Sequence, residues 1–231
     1  MGHIIKMTKL ISMSVYGNNP RYIIGAKRQI ELAKQHYPDW NIRIYTDNIK
    51  NFQNDPVELV PILDGGFPMF HRFYPMFESS ENITMVRDSD SRITIREKMC
   101  IDEWLNSDKI FHTFKDHDAH FEFPIIGCAF ALKGQLPDKI LEIMERYMNQ
   151  HKFYLSDQFF LRDCVYPLVK NSTLLHSMNE PGWFADTRKL LKNKYSFCGN
   201  GYTELDQPLY PDSLTSEIFD PDKFIFDGGL F

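Results

Sequence analysis

The sequence predicts an α/β protein in which a Rossmann-type, mostly parallel sheet is flanked by helices. Strand-like segments alternate with amphipathic helical segments, the arrangement that joins parallel strands through crossover helices. One apolar strand runs directly into an acidic loop and then a capped helix. The 231 residues suit one domain. We therefore predict a single domain over 1–231, with an irregular tail from about 195 to 231 that packs on it.

Hydrophobic periodicity places the elements. Ala26, Ile30, Ala33 and Tyr37 form the buried stripe of the first helix, and the segment NIRIYT at 41–46 alternates as a strand does. Aromatic residues at roughly helical spacing fill 69–77. The predicted strands are 9–15, 41–46, 57–63, 83–86, 108–113, 124–132 and 172–177. The predicted helices are 22–37, 95–106, 137–149 and 156–168.

Composition excludes two classes of function. The net charge is −5 and basic residues occur only in small groups, which argues against a general nucleic-acid binder. No apolar run reaches the length of a membrane span, so we expect none. Aromatic residues make up 14% of the chain, which fits an aromatic core and also platforms for bases and sugar rings.

The cysteines and the N-terminal residues indicate a cytoplasmic location. Cys100, Cys128, Cys164 and Cys198 are too far apart for a zinc knuckle or a CxxC redox pair. We expect free thiols in a reducing compartment. Lysines interrupt the apolar residues near the start, which is unlike a signal peptide.

The stretch 82–97 carries the chemistry. Its apolar residues 83–86 predict a buried strand, and Asp88, Ser89 and Asp90 follow directly. Thr94 and Glu97 then form a capping box at a helix start. Ligands of open α/β sheets gather at the carboxyl ends of strands, and two neighbouring carboxylates there can hold a hard cation such as Mn²⁺ or Mg²⁺. The alternative is an acidic turn, since Asp and Ser favour turns.

The strand, the Asp-x-Asp tripeptide and the capped helix resemble the metal-dependent GT-A fold glycosyltransferases with a DxD motif, such as the glycogenin-like families. The resemblance extends over about residues 9–185 in layout. It implies a GT-A-like catalytic domain that moves a sugar from a nucleotide-sugar to an acceptor hydroxyl. A UDP-sugar is the first choice of donor, and the acceptor is a carbohydrate or a protein. Asp90 and Asp88 would hold Mn²⁺ (or Mg²⁺), with Asp88 also near the nucleotide.

The same resemblance suggests the donor contacts. Tyr16, in the loop after the first strand, would stack on the base; the alternative is a half-buried turn tyrosine. Arg72, an arginine among apolar residues, needs an anionic partner and would contact a pyrophosphate or a carboxylate; the alternative is a stem on the surface with its head in water. Arg87 and Gln158 complete the predicted nucleotide-sugar contacts.

Three further residues are assigned by resemblance. His176 closes a strand-like segment where related families place a third metal ligand. Asp157 stands in a first helical turn near the transferred sugar, although it also complements the helix dipole. Asp116 lies in the polar loop 114–124, which would serve the acceptor through a general base. The alternative for that loop is a solvated turn.

One departure from those families concerns the segment after His176. A lysine before a proline-tryptophan pair is expected there, whereas this chain has Glu180-Pro181-Gly182-Trp183. The candidates to replace that lysine are Arg188, Lys189 and Lys192.

Two other functions fit parts of the pattern. A haloacid dehalogenase-type phosphatase also carries Asp-x-Asp after a strand, but usually the first strand, followed by Thr or Val. Here the pair lies in mid-chain, followed by Ser91 and Arg92. A non-enzymatic carbohydrate-binding module would use the aromatic residues and leave the carboxylates to turn the chain.

Overall fold

Within residues 8–190 and 197–210, the sheet has eight strands in the order β3-β2-β1-β4-β6-β5-β7-β8. The structure is a computed structural model that describes residues 8–190 and 197–210. β6 is antiparallel to both of its neighbours, β4 and β5, and every other pair is parallel. The strands are β1 Thr8–Val15, β2 Asn41–Thr46, β3 Glu58–Pro61, β4 Asn82–Arg87, β5 Phe111–Lys115, β6 Ala129–Lys133, β7 Thr173–Ser177 and β8 Asp186–Lys189.

Helices pack on both faces of this sheet. They are α1 Pro20–His36, α2 Ile95–Leu105, α3 Asp138–Gln150, α4 Ser156–Phe160 and α5 Tyr166–Val169. A π-helical turn, Leu161–Val165, joins α4 to α5, and the aromatic segment forms a 3₁₀ helix, Pro68–Phe77. The predicted α/β class, with a mostly parallel sheet flanked by helices, is confirmed.

Alternate residues of each strand supply two separate cores, because successive side chains of a strand point to opposite faces. In β4, Met85 packs into the core beneath α1 and α2, whereas its neighbour Val86 packs into the other core. That second core contains Phe73, Phe130 and Phe160 and lies beneath the 3₁₀ helix, α3 and α4. Aromatic side chains from the 3₁₀ helix, β6 and α4 thus meet in the core on this face of the sheet.

The chain after β8 returns to the acidic loop. Ser91 and Gly201 form an antiparallel bridge, and the Tyr202 N–H donates to the Asp90 carbonyl at 2.9 Å. The tail phenylalanines that we expected to anchor it lie outside the described residues, as does Lys192. Those phenylalanines are Phe219, Phe224, Phe226 and Phe231.

Within residues 8–190 and 197–210, no helix is long and apolar enough to cross a bilayer.

Candidate active site

A cavity of about 210 Å³ opens at the carboxyl ends of β1 and β4. Four of the predicted donor and metal residues line it: Tyr16, Arg72, Asp88 and Asp90. The other lining residues were not singled out from the sequence: Ser14, Arg21, Tyr22, Met69, Ser89 and Tyr154. Ligand pockets usually measure roughly 300–1,000 Å³. A nucleotide-sized ligand would therefore extend beyond this cavity.

The backbone of the acidic loop is fixed from beneath by Gln29 of α1, which is 1% exposed. Its amide nitrogen donates to the Asp88 carbonyl at 3.1 Å and to Ser91 Oγ at 2.9 Å. Its amide oxygen accepts from the Ile93 N–H at 3.2 Å. The loop is therefore held in one conformation by a buried side chain that satisfies its turn.

A glycine in α1 brings that helix against the same loop. A Cβ at Gly25 would lie 2.6 Å from the Ser89 carbonyl oxygen and 2.9 Å from the Asp90 Cα. Both atoms belong to the backbone, so any larger residue would push the helix away. The first turn of α1, which begins after the cap Asn19, is thereby placed beside Asp90.

Arg72 bridges two carboxylates. Its guanidinium forms a short ion pair with Asp88 and a 2.7 Å ion pair with Asp157. Its backbone is anchored to β1, because its N–H donates to Ser14 Oγ at 3.0 Å and its carbonyl accepts from Ser12 Oγ at 2.8 Å. Buried arginines need such anionic partners. The alternative of a surface stem with its head in water does not describe this side chain, which is 5% exposed.

Asp90 has a counter-ion of its own, Arg21, which forms a short ion pair with it. Burial raises the pKa of Asp90, the charge of Asp88 raises it further, and Arg21 opposes both. The two aspartates are partly buried and repel each other, and each is neutralised by a different arginine.

Asp157 and Gln158 lie behind Arg72 and do not line the cavity. Burial raises the pKa of Asp157, and Arg72 opposes that shift. With its amide oriented to satisfy both contacts, Gln158 accepts from the Gly127 N–H at 2.7 Å and donates to the Ile125 carbonyl at 3.1 Å. A Cβ at Gly127 would lie 3.1 Å from Asp157 Oδ2 and only 2.1 Å from the Gln158 amide atom that faces it, which is the oxygen in this orientation. Gln158 therefore fixes a neighbouring loop, and Asp157 fixes Arg72.

The residues fit a divalent cation that shares its ligands with a substrate. Asp88 and Asp90 are the two carboxylates of the cavity, and the described residues contain no group of three or more metal-binding side chains. Mg²⁺ is typically held in this way, by one or two carboxylates plus substrate phosphates. Arg21 Nε and Arg72 Nε are buried and have no hydrogen-bond partner among the described residues. Such unsatisfied donors beside the carboxylates suit an anionic ligand.

Arg87 is not brought to the cavity. It is fully buried and pairs with Glu97 of α2, while its other nitrogen donates to Ser91 Oγ and to the Arg92 carbonyl, each at 3.1 Å. The guanidinium predicted to contact the nucleotide lies beneath the acidic loop and does not line the cavity. There it joins β4 to α2.

His176 is likewise separate from Asp88 and Asp90. Its Nδ1 lies 2.8 Å from His112 Nε2, and its Nε2 lies 3.0 Å from a carboxylate oxygen of Glu103. β6 and β5 stand between β4 and β7, so the two strands are three spacings apart, about 14 Å. The structure thus does not bring His176, the predicted third metal ligand, to the acidic loop, and places it in a buried histidine pair.

Asp116 lies outside the cavity and is already occupied. Its Oδ2 accepts from Arg96 Nε at 3.2 Å and from the Cys198 N–H at 2.9 Å, and its Oδ1 lies 3.3 Å from His120 Nδ1. Burial raises its pKa, but these partners more than offset that effect and hold it at about 2. A carboxylate of such low pKa is a poor proton acceptor near neutral pH. The structure thus places Asp116 in a buried network with Arg96, His120 and the Cys198 N–H, and its role as a base stays a prediction.

Three tyrosines surround the mouth of the cavity. Burial raises the pKa of Tyr16, and Arg72 opposes the shift, which places the phenol near that guanidinium. Tyr22 lies in the first turn of α1, and Tyr154, which is 81% exposed, lies in the loop before α4. Sequence reasoning singled out only Tyr16, because the other two reach the site through the fold.

Comparison with known proteins gives only distant structural likenesses. No protein-family model matches the chain, and no curated protein matches it either. A glycosyltransferase involved in the glycosylation of the major capsid of PBCV-1 is similar at 17% identity and a TM-score of 0.46, covering 74% of this chain and 82% of that one. The glycosyltransferase GlyE of Streptococcus pneumoniae is similar at 14% identity and a TM-score of 0.48, covering 74% of this chain and 45% of that one.

A different enzyme shows a similar degree of likeness. The 4-diphosphocytidyl-2C-methyl-D-erythritol synthase of Anaerococcus prevotii matches at 11% identity and a TM-score of 0.44, covering 74% of this chain and 87% of that one. At such scores none of the three carries an argument about function. The functional argument rests on the cavity.

Proposed function

We propose that this protein is a GT-A-like glycosyltransferase that moves a sugar from a nucleotide-sugar, first of all a UDP-sugar, to an acceptor hydroxyl of a carbohydrate or a protein. One observation carries the proposal: Asp88 and Asp90 share a single cavity with Arg72, Arg21 and Tyr16. Two carboxylates for a cation, two arginines for phosphates and an aromatic ring for a base are the groups that a nucleoside diphosphate needs.

Asp88 and Asp90 would hold Mn²⁺ or Mg²⁺. The bound ion supplies Lewis-acid stabilisation of the negative charge that develops on the leaving diphosphate. Arg72 is placed to contact the same diphosphate, because its guanidinium already lies against Asp88. A planar guanidinium binds phosphate oxygens through two parallel hydrogen bonds.

Asp157 acts on the sugar side through Arg72. Its carboxylate holds Nη2 of that arginine at 2.7 Å and is itself fixed by the Gln158 N–H at 2.9 Å. We assign Asp157 a positioning role, because its carboxylate lies behind Arg72 and does not itself line the cavity. Tyr16 remains the proposed partner of the base.

Ligand-induced stabilisation tests the proposal. UDP with Mn²⁺ should raise the melting temperature, because a ligand present at 100 times its Kd adds about 2.7 kcal/mol to the free energy of unfolding. For a domain of this size that corresponds to a shift of about 5–10 °C. UDP or Mn²⁺ alone should give a much smaller shift.

Asp90→Asn should remove the combined effect, since it deletes one charge from the metal site and leaves the shape. Asp102→Asn is the matched control, because that carboxylate pairs with Lys98 on the surface of α2. A parent protein that responds to no nucleoside diphosphate with metal would overturn the proposal. A response only to nucleoside triphosphates would favour nucleotidyl transfer.

A further inference from the structure

Arg21 is the residue of the cavity whose role the proposed function leaves open. It stands in the first turn of α1, and its guanidinium is paired with Oδ2 of Asp90. Its side chain is 30% exposed, whereas that of Asp90 is 10% exposed. The pair therefore closes one wall of the cavity while the arginine keeps contact with solvent.

The backbone around this pair is fixed in a position that keeps the Arg21 side chain next to Asp90. Asn19 caps the helix by accepting from the Arg21 N–H at 3.0 Å, and Gly25 seats the next turn on the acidic loop. From the other side, a Cβ at Gly201 would lie 3.2 Å from Arg21 Nη2 and 3.5 Å from Asp90 Oδ2. Helix and tail thus enclose the pair without filling the space next to it.

The same carboxylate cannot fully serve a guanidinium and a metal ion. A divalent cation on Asp90 would meet the positive charge of Arg21 within a few ångströms, and like charges in a partly buried site repel strongly. A diphosphate beside the metal changes this balance, because its oxygens are the preferred partners of a guanidinium fork. Arg21 Nε, which lacks a partner among the described residues, is a donor that such a ligand would satisfy.

We propose that Arg21 is an exchangeable counter-ion: it neutralises Asp90 when no metal is bound and transfers to the diphosphate when metal and nucleotide bind together. The inference rests on the proposed function, because it takes Asp90 as a metal ligand. It predicts that Arg21 hinders metal alone and assists metal with nucleotide. The two ligands are then coupled, each raising the affinity for the other by the same factor.

Arg21→Gln tests this through two affinities of opposite response. Without nucleotide, the variant should bind Mn²⁺ about fivefold more tightly than the parent, since one partly exposed ion pair no longer competes. At saturating Mn²⁺ it should bind UDP about tenfold more weakly, since a charge-assisted hydrogen bond is lost. Both can be measured by titration calorimetry. Arg28→Gln is the matched control, since it removes the same charge from α1 two turns further on and should change neither affinity.

The outcomes separate this inference from the function beneath it. If the parent binds UDP with Mn²⁺ but Arg21→Gln leaves both affinities unchanged, or shifts both in one direction, the exchange is refuted and the function stands. If the parent binds neither ligand, both proposals fall. Arg21→Lys guards against misfolding: it keeps the charge and loses the fork, so Mn²⁺ affinity should stay near the parent value while UDP affinity falls. Full UDP affinity in a folded Arg21→Lys protein would count against phosphate contact.

Discussion

Replacing Arg87 by methionine tests whether this arginine supports the fold or contacts the nucleotide. Arg87 and Glu97 are both completely buried, and they pair directly. Arg87→Met would leave Glu97 as an uncompensated buried carboxylate and would remove the bonds to Ser91 and Arg92. Deleting one partner of a buried ion pair typically costs about 3–5 kcal/mol. We expect a loss of this size at pH 8, with the affinity of the folded protein for UDP and Mn²⁺ unchanged.

The loss should depend on pH in a defined direction. Burial raises the pKa of Glu97 to about 7, although Arg87 opposes the shift. Without the arginine that pKa rises further. A carboxyl whose native pKa exceeds its unfolded value contributes stability below the unfolded value, and this is lost as the pH rises through the native one. At pH 5 Glu97 is protonated in the variant, so the cost should fall to that of the lost hydrogen bonds, about 1–2 kcal/mol.

Urea unfolding at pH 5, 6.5 and 8 measures this cost, and calorimetric titration with UDP and Mn²⁺ measures binding. The double variant Arg87→Met/Glu97→Met is the control: with both charges gone it should recover most of the stability, since apolar replacement of a buried pair is often neutral. A single variant that keeps its stability at pH 8 and loses UDP affinity would refute the reasoning. Arg87 would then be assigned to the nucleotide site, as the sequence predicts.

Three further substitutions test neighbouring assignments. Burial lowers the pKa of Lys115 from 10.5 to about 7, so between these pH values the unfolded chain binds a proton that the native protein does not. The free energy of unfolding should therefore rise by up to about 3 kcal/mol from pH 7 to 9.5, and Lys115→Met should flatten that rise in urea unfolding. The pKa of Asp116 is lowered to about 2, so this carboxylate stabilises the protein above its unfolded-state pKa, and the stabilisation is lost as the pH falls through about 2. Asp116→Asn should therefore cost about 2 kcal/mol at pH 7 and leave UDP–Mn²⁺ affinity intact. A selective loss of sugar transfer would instead support Asp116 as the general base. His176→Gln should lower the melting temperature with Mn²⁺ affinity unchanged. Weaker Mn²⁺ binding that excess metal relieves would instead identify His176 as a metal ligand.

Local sequence patterns correctly predicted the secondary structure on either side of the acidic loop. The strand before Asp88 and the helix after it lie where the sequence placed them, and Thr94 caps that helix by accepting from the Glu97 N–H at 3.1 Å. The capping box is only half formed, however. The Glu97 carboxylate turns to Arg87 instead of back to the cap, because β4 and α2 bury the two side chains against each other.

Contacts between distant parts of the chain explain what sequence reasoning missed. Arg21 and Asp90 are 69 positions apart, and no local spacing marks them as a pair. The resemblance to the glycogenin-like families predicts His176 as a metal ligand, because it closes a strand-like segment where those families place one. The antiparallel β6 was not anticipated, and its insertion between β4 and β5 carries β7 away from the acidic loop. Strand order, which periodicity does not reveal, decided this outcome.

The charges of the cavity explain why it should load metal and nucleotide together. Three carboxylates, Asp88, Asp90 and Asp157, face two guanidiniums, Arg21 and Arg72, so the network carries one net negative charge. A divalent ion alone would reverse that sign and break an existing ion pair, and a diphosphate alone would add negative charge beside three carboxylates. Under the proposed function, the ion would pair with the carboxylates of Asp88 and Asp90 and the diphosphate with the released guanidinium of Arg21, while Arg72 keeps its ion pair with Asp157. Cooperative loading is thus the electrostatic consequence of pairing each aspartate of the acidic loop with its own arginine.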